Sequence, residues 1–509
     1  MAAALLYEGI GVNDVKNAFQ TIIKFLSQQD PIHYCSVPKF FSEWFEQYYG
    51  RPFPEGDLKD YAIPLFTNMQ GQKDAGTCFY DMVLKVLLKF GFVRSPVDYG
   101  CFSKATQHGI AFVLLSTDDF LALFPKKHQL QEFSTHLEQF FNMKTKTGPL
   151  LHFLNMRITV GPTGISIDQT ESILSFCQEY WGSPSKIKSV HTPFRTEPEF
   201  EKALLESLPA SPVELQILEK EFGGSYRSLY GSLLHFSNVS RIDISYAMCR
   251  LGKFLAAPTR VAFEALKRII RFLTTHPHRP IFYPCRPLTG EEIMSFQWSP
   301  QLTEYKRFPN DLVCFNDAGE PRDLADLRSV HCNIHTFGGV AIAWESKKTA
   351  SIPLHSTDAE VRSNSRAIKR TKIFRHFLQS IGYLINGPIA VYQDNAAVGA
   401  IMKACRVTPR TKYLGLHASY CQQEQQRGNA DIQYLKTSMM LADMGTKPLT
   451  GPALTRFTEW AIGKRFYPSP SSAQYKYLDL DSYSKTFLDI KAAISKTATL
   501  DSSSTSSPS

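Results

Sequence analysis

Several hallmarks of common protein classes are missing from this sequence of 509 residues. Its ten cysteines form no Cys-x-x-Cys pair and no zinc-knuckle spacing, which argues against a disulfide framework or a structural zinc site. We therefore expect a reducing, intracellular setting, cytoplasmic or nuclear. No segment supplies the roughly 20 apolar residues of a membrane span. The first residues lack a basic n-region, so we expect neither a signal peptide nor a membrane partner.

Neither sign of charge is in large excess. The net charge of +9 is mildly basic, and the isoelectric point is near 8.9. These values are compatible with a polyanionic partner without identifying one. Hydrophobic residues make up 43% of the chain and aromatic residues 12%, which is typical of a globular protein. The length predicts more than one domain.

A pair of adjacent acidic residues, Asp118 and Asp119, interrupts the apolar segment 110–124. Its flanks are rich in β-branched and large apolar residues, which predicts two strands joined by a tight turn. Buried carboxylates are tolerated only when they are paired, hydrogen-bonded or bound to a metal. Because Ser-Thr-Asp-Asp is also good turn and helix-cap chemistry, a surface turn remains the alternative.

A third carboxylate, Asp14, ends a short apolar stretch near the start of the chain. Two-metal nucleotidyl transfer needs carboxylates that hold two divalent cations about 3.5–4 Å apart. Magnesium prefers such hard oxygen ligands and completes its shell with water and phosphate. We therefore expect Asp14 to converge with Asp118 and Asp119 in a polymerase-type site.

The sequence around these acids resembles the polymerase region of copia-type LTR retrotransposons. Segment 14–19 resembles motif A of reverse transcriptases, segment 70–80 motif B and segment 115–119 motif C. Four further segments follow in family order, namely 226–234, 241–248, 257–259 and 441–448. The resemblance implies an RNA-directed DNA polymerase that uses an RNA template, a DNA primer and deoxynucleoside triphosphates, with two Mg²⁺ ions on the three aspartates.

The resemblance also assigns nucleotide-binding roles. Phe19 would exclude a 2′-hydroxyl on the incoming nucleotide, Gln70 and Gly71 would line its pocket, and Lys73 would meet a phosphate. From the residues alone, a core phenylalanine is an equally good explanation of Phe19, and the alternatives for the others are a Gln-Gly turn and a solvated lysine.

Four more acidic residues lie at the edges of predicted elements in the second half of the chain. Three strands, a helix, a strand, helices, a strand and a helix are predicted there, and either Ser356 or Thr357 is a plausible N-cap of the first helix. Any one acid alone is better explained as a helix cap. In order they resemble the Asp-Glu-Asp-Asp set of retroelement ribonuclease H domains, which implies two more Mg²⁺ ions and cleavage of RNA in RNA–DNA hybrids. Asp317 and Asp394 each end a strand-like run, Glu360 lies early in a helix, and Asp443 is expected to open the last helix.

A basic cluster marks a predicted amphipathic helix around residues 261–273. A solvated face is the ordinary explanation, but in a polymerase its cations would contact nucleic-acid phosphates, which position without conferring sequence specificity. The residues concerned are Arg260, Lys267, Arg268 and Arg271.

These elements predict a mixed α+β fold with a partial right hand and a second, ribonuclease H-like α/β domain. We place a reverse transcriptase palm, with its fingers largely missing, at 1–190 and a helical thumb and connection at 191–305. A ribonuclease H-like domain follows at 306–450, and a C-terminal extension with a disordered tail at 451–509.

Three departures from the family pattern leave two hypotheses. Ser116 and Thr117 stand where the family has Tyr-Val, and segment 413–415 reads Tyr-Leu-Gly where the family often has His-Ile-Asp. Only 13 residues precede Asp14, so we expect an N-terminally truncated fragment that extends primers poorly. The chain is therefore expected to be either a polymerase with ribonuclease H or an impaired remnant that only binds nucleic acid; no protein partner is evident.

Overall fold

The computed structural model describes residues 7–16, 18, 33–38, 40–54, 56–65, 72–182, 187–284, 312–319, 326–383, 385–404 and 414–464. The chain divides into two compact units, one of Tyr7–Thr147 and one of Met1–Leu6 with Gly148–Ser509. Helices and sheets occur in both units, so the predicted mixed α/β class is confirmed. The predicted division into four domains is finer than this split and stays a prediction.

A six-stranded sheet organises the unit Tyr7–Thr147, with strand order β4-β5-β6-β7-β1-β8, and β2 pairs with β3. The strands are β1 Gly9–Val15, β2 His33–Ser36, β3 Ala62–Leu65, β4 Val93–Arg94, β5 Cys101–Thr106, β6 Gly109–Ser116, β7 Asp119–Phe124 and β8 Met143–Thr147. The helices are α1 Phe41–Tyr49, α2 Ala75–Lys89 and α3 Lys127–Glu138.

The core of this unit follows from period-two and helical spacing. In β7, Phe120, Ala122 and Phe124 alternate with less buried residues, so they share one face of the sheet. Phe79 and Val83 lie one turn apart on α2 and belong to the same apolar cluster. Fully burying a large apolar side chain stabilises by about 1.5–3 kcal/mol. The alternation leaves Asp119 at the strand end, beside the turn.

The second unit begins with a four-stranded antiparallel sheet in the order β12-β11-β10-β9 and a set of helices. The strands are β9 Leu150–Phe153, β10 Met156–Gly161, β11 Gly164–Asp168 and β12 Ile281–Pro284. The helices are α4 Thr170–Trp181, α5 Pro198–Glu206, α6 Pro212–Glu221, α7 Tyr226–Val239, α8 Ser245–Leu251 and α9 Arg260–Thr275. Helix α9 is the predicted amphipathic helix, and the hydroxyl of Thr259 caps it by accepting from the Ala262 amide at 3.1 Å.

A five-stranded sheet in the order β15-β14-β13-β16-β17 completes this unit. Its strands are β13 Val313–Ala318, β14 Val330–Phe337, β15 Val340–Lys348, β16 Ile389–Gln393 and β17 Ala430–Tyr434. Its helices are α10 Ser356–Ser380, α11 Ala396–Ala404, α12 Gly415–Gln426 and α13 Gly451–Ala461. The first three strands pair antiparallel, whereas β13, β16 and β17 run parallel. The predicted order of strands and helices is confirmed.

Two local predictions are wrong. Helix α10 has His355 at its N-cap rather than Ser356 or Thr357. Asp358 lies in the first turn of the helix, and its carboxylate accepts a hydrogen bond from the Leu354 amide at 2.9 Å. This side chain therefore satisfies a backbone donor at the start of the helix, as an N-cap residue would. The second wrong prediction concerns Asp443, which was expected to open the last helix.

Asp443 instead lies in a short 3-10 helix, Leu441–Gly445, and α13 begins only at Gly451. Pro448 lies between the two elements, and a proline disfavours helical backbone in the residue before it.

Within the described ranges, no helix is both long and apolar enough to cross a membrane. The eight cysteines among these residues are all free.

Candidate active site

The first acidic pair lies at the tip of a hairpin, as predicted. Strands β6 and β7 pair in register, with Ser116 opposite Asp119, so Thr117 and Asp118 form a two-residue connection. Thr117 has a φ of 55°, which is unusual for a β-branched residue and stores local strain. The strained turn places the carboxylates at the end of two apolar strands.

The third acid, Asp14, lies directly opposite Asp119 because β1 pairs antiparallel with β7. Residues that face each other across an antiparallel pair share one face of the sheet. The Val15 amide also donates to the Asp118 carbonyl at 3.2 Å. The structure therefore brings the three acids together, as expected.

Electrostatics at this position are unfavourable for bare carboxylates. Burial, followed by the charges of Asp118 and Asp14, raises the pKa of Asp119, while Lys146 of β8 opposes the shift. Like charges directly opposite each other destabilise a sheet. Lys146 was not singled out from the sequence, because only the pairing of β8 with β1 brings it near Asp119.

The second acidic set forms a tighter cluster. Asp317 lies near the end of β13, Asp394 directly follows β16, and Glu360 lies on α10. Parallel pairing of β13 with β16 puts the first two at one edge of the sheet. Ligand atoms of these three residues all lie within 4.8 Å of one another, the only such group found in the part of the chain that the structure describes.

Each of these carboxylates has one oxygen fixed by a protein donor. The hydroxyl of Thr446 donates to Asp317, and that of Thr437 donates to Asp394 at 2.7 Å. The Ala318 amide approaches Glu360 Oε1 at 3.4 Å. The remaining oxygens can therefore converge on a ligand in a fixed orientation.

Burial and neighbouring carboxylates raise the affinity of Glu360 and Asp317 for protons. Burial, and then the charges of Asp317 and Asp394, raise the pKa of Glu360 well above its ordinary value. Burial also raises the pKa of Asp317, although Lys447 and Thr446 oppose it. Protons or cations are therefore needed to neutralise these groups.

Asp443, the fourth predicted acid, lies beside Asp317 but outside the group of three. Burial and the Asp317 charge raise the pKa of Asp443 to about 8. Its Oδ1 atom is 2.9 Å from the ammonium of Lys447. The sequence analysis singled out segment 441–448 but assigned a role only to Asp443. It therefore missed the contacts of Thr446 and Lys447 with the acidic residues.

The donor set fits a hard divalent cation. All its groups are carboxylates, which suit Mg²⁺, Ca²⁺ or Mn²⁺. Glu360 is only 4% exposed, and its Oε2 atom has no hydrogen-bond partner among the described residues. A buried charged oxygen without a partner is costly, and a cation would supply the missing one.

Three of the four predicted basic residues of α9 contact partners within the protein. Arg260 pairs with Glu221 at 3.0 Å, and Arg268 donates to the Thr192 carbonyl at 3.1 Å. The ammonium of Lys267 lies 5.8 Å and 5.4 Å from the ring centres of Trp181 and Phe222, respectively. The fourth cation of this set is Arg271. Their role in nucleic-acid binding stays a prediction.

Some predicted residues lie outside the described part of the chain, namely Phe19, Gln70, Gly71 and Tyr413. Lys73 lies in the turn before α2, and its contact with a phosphate stays a prediction.

The chain is similar to known proteins over most of its length. No family model matches it. A retrovirus-related Pol polyprotein from transposon RE1 of Arabidopsis thaliana is 27% identical over 417 residues, covering 82% of this chain and 26% of that protein. A retrovirus-related Pol polyprotein from transposon TNT 1-94 of Nicotiana tabacum is 25% identical, covering 77% and 28%. The chain thus spans about a quarter of the length of these curated relatives.

A shorter relative is the putative transposon Ty5-1 protein of Saccharomyces cerevisiae, which is 25% identical over 61% of this chain and 89% of its own length. Among solved structures, the prototype foamy virus protease–reverse transcriptase matches 88% of this chain and 46% of that chain, at 12% identity and a TM-score of 0.21. A likeness this weak supports no argument.

Proposed function

The chain is a relative of the retrovirus-related Pol polyproteins of transposons, and we propose that the region 306–450 of its second unit forms a copia-type ribonuclease H that cuts RNA in RNA–DNA hybrids. The observation that carries this proposal is the cluster of Asp317, Glu360 and Asp394, with ligand atoms within 4.8 Å of one another. Its topological setting supports it, since acids from two parallel strands and a helix meet at one edge of a mixed sheet.

The roles of the residues follow from their contacts. Asp317, Glu360 and Asp394 supply oxygen ligands for Mg²⁺, and the fixed donors Thr446 and Thr437 hold two of them in orientation. When bound, the cation would activate water and stabilise charge on the leaving oxygen. Without a cation, these carboxylates would repel the hybrid's scissile phosphate, so the phosphate would approach only once the site is neutralised.

Cleavage of a hybrid with labelled RNA tests this proposal. The full chain should cut the RNA strand in Mg²⁺ and leave the same RNA intact in EDTA. Asp394→Asn should lose detectable cleavage because one ligand is removed. Asp431→Asn is the matched control, since Asp431 lies on the adjacent strand β17, opposite Ala390. Undiminished cleavage by Asp394→Asn would contradict the proposal.

The register of Asp14 opposite Asp119 supports a second function, RNA-directed DNA polymerisation in the unit Tyr7–Thr147. The two residues and Asp118 would hold two Mg²⁺ ions for nucleotidyl transfer from deoxynucleoside triphosphates to a DNA primer on an RNA template. The chain is expected to extend primers poorly, and this residual extension should be lost in Asp119→Asn and retained in Asp81→Asn, a change at an exposed position of α2. Equal extension by both variants would contradict this assignment.

A third outcome would favour the impaired remnant. If the chain binds a hybrid but neither cuts nor extends it, only nucleic-acid binding remains. Affinity should then fall steeply with added salt, as for contacts with phosphates.

A further inference from the structure

The carboxylates in and beside the acidic cluster of the second unit are partnered unequally. The Oε2 atom of Glu360 lacks a hydrogen-bond partner among the residues that the structure describes. By contrast, Thr446 donates to Asp317, and the Lys447 ammonium lies 2.9 Å from Asp443. The charge of Lys447 also acts on Asp317, so a cation that belongs to the protein already lies beside the cluster.

The segment that carries this cation is held firmly. All residues of the 3-10 helix Leu441–Gly445 are buried, and the Ser346 hydroxyl donates to the Gly445 carbonyl. A Cβ atom at Gly445 would lie 2.3 Å from Cys332 Sγ, so this turn packs against β14 without spare room. Lys447 follows two residues later, and its amide donates to the Asp443 carbonyl at 3.2 Å.

We propose that Lys447 acts as a built-in cation that competes with a second divalent ion for Asp443. This inference rests on the proposed metal centre. One ion would bind readily to Asp317, Glu360 and Asp394. A second ion that uses Asp443 must first displace the ammonium, because two cations a few ångströms apart repel each other strongly in a partly buried site.

Lys447 then determines how many divalent ions the site binds at a given Mg²⁺ concentration. At low Mg²⁺ the chain carries one ion and the ammonium. At high Mg²⁺, Lys447 swings out to solvent, which its side chain can reach because it is already 32% exposed. The proposed hydrolysis would then need a higher Mg²⁺ concentration than filling of the first position.

Calorimetric titration of the full chain with Mn²⁺, without nucleic acid, tests the inference. The wild type should show one tight and one weak binding event. In Lys447→Met the second event should tighten about tenfold or more, whereas Lys447→Arg, which keeps the charge, should resemble the wild type. Lys464→Met is the control, since Lys464 pairs with Glu459 outside the cluster.

Two results would overturn the inference. The first is a wild type that binds two ions equally well with no change in Lys447→Met. The second is a weaker second event in Lys447→Met, because Lys447 would then orient Asp443 rather than compete for it. Failure of the metal centre itself gives a different result, in which Asp394→Asn leaves the tight event unchanged.

Discussion

Replacing Glu360 by glutamine should stabilise the metal-free protein, although it removes a proposed ligand. Glu360 is 4% exposed, its Oε2 atom lacks a partner within the described residues, and burial with the charges of Asp317 and Asp394 raises its pKa. Relief of an unsatisfied buried polar group is worth about 1–3 kcal/mol. Without a cation, the ionised carboxylate therefore destabilises the fold.

The effect should depend on pH with a definite sign. The folded-state pKa of Glu360 lies well above its ordinary value of 4.5, so the folded protein binds the proton more tightly than the unfolded chain. The stability that the protonated carboxyl group contributes is fully present below the ordinary pKa of 4.5. It is lost as the pH rises through the folded-state pKa. The advantage of Glu360→Gln should accordingly be small at pH 5 and largest at pH 9.

Magnesium should reverse this order and make the wild type more stable than Glu360→Gln. A ligand at 100 times its dissociation constant stabilises the folded state by about 2.7 kcal/mol, and the variant should gain much less than this. Urea unfolding at pH 5 and pH 9, in EDTA and in Mg²⁺, gives the free energy of unfolding of each protein under these four conditions. A variant less stable than the wild type in EDTA at pH 9 would refute the reasoning.

Glu345→Gln is the matched control for these measurements. Glu345 lies in the same sheet with 9% of its side chain exposed. It pairs with Arg366 at 2.6 Å and with Arg370 at 3.0 Å. Against the effect of burial, His331 and Arg366 lower the pKa of Glu345. Neutralising it should destabilise the protein with or without Mg²⁺.

Two further substitutions test the packing around the candidate sites. Asp243→Asn should cost about 3–5 kcal/mol in urea unfolding, because Arg241 and Arg279 each contact Asp243 at 2.8 Å and would lose a buried partner; a loss below about 1 kcal/mol would contradict this. Gly445→Ala should lower the free energy of unfolding by about 1–3 kcal/mol, since its methyl group would meet Cys332 Sγ at 2.3 Å. Unchanged stability together with unchanged Mn²⁺ affinity would contradict this prediction, because the turn would then accommodate the methyl group without strain.

Local patterns in the sequence were sufficient to predict several features. The apolar flanks of Asp118 and Asp119 predicted the hairpin of β6 and β7, which is confirmed. The positions of Asp317 and Asp394 at strand ends followed from strand-like runs that stop at the acid, and both strands are present. In each case residues adjacent in sequence determine the result, so the signal is local.

Features that depend on distant contacts were not predictable in the same way. Thr446 meets Asp317, 129 positions away, because the turn of Leu441–Gly445 packs against β14, and no pattern within segment 441–448 encodes this contact. The cations of α9 were predicted to form a solvated face or to contact nucleic acid. The Arg260 side chain is 44% exposed, and its pairing with Glu221, 39 positions away, is a distant contact that the local pattern does not encode. The N-cap of α10 was missed because the side chain of Asp358 replaces that of a capping serine.

The most direct test of the account is to locate the cation itself. Crystals of the full chain grown in Mn²⁺ should give an anomalous scattering peak bounded by oxygens of Asp317, Glu360 and Asp394, at about 2.0–2.2 Å from each of its carboxylate ligands. Asp394→Asn crystals grown in the same way should show a weaker peak or none. Density for Mn²⁺ elsewhere, with these three carboxylates bound only to protein groups or water, would contradict the central claim.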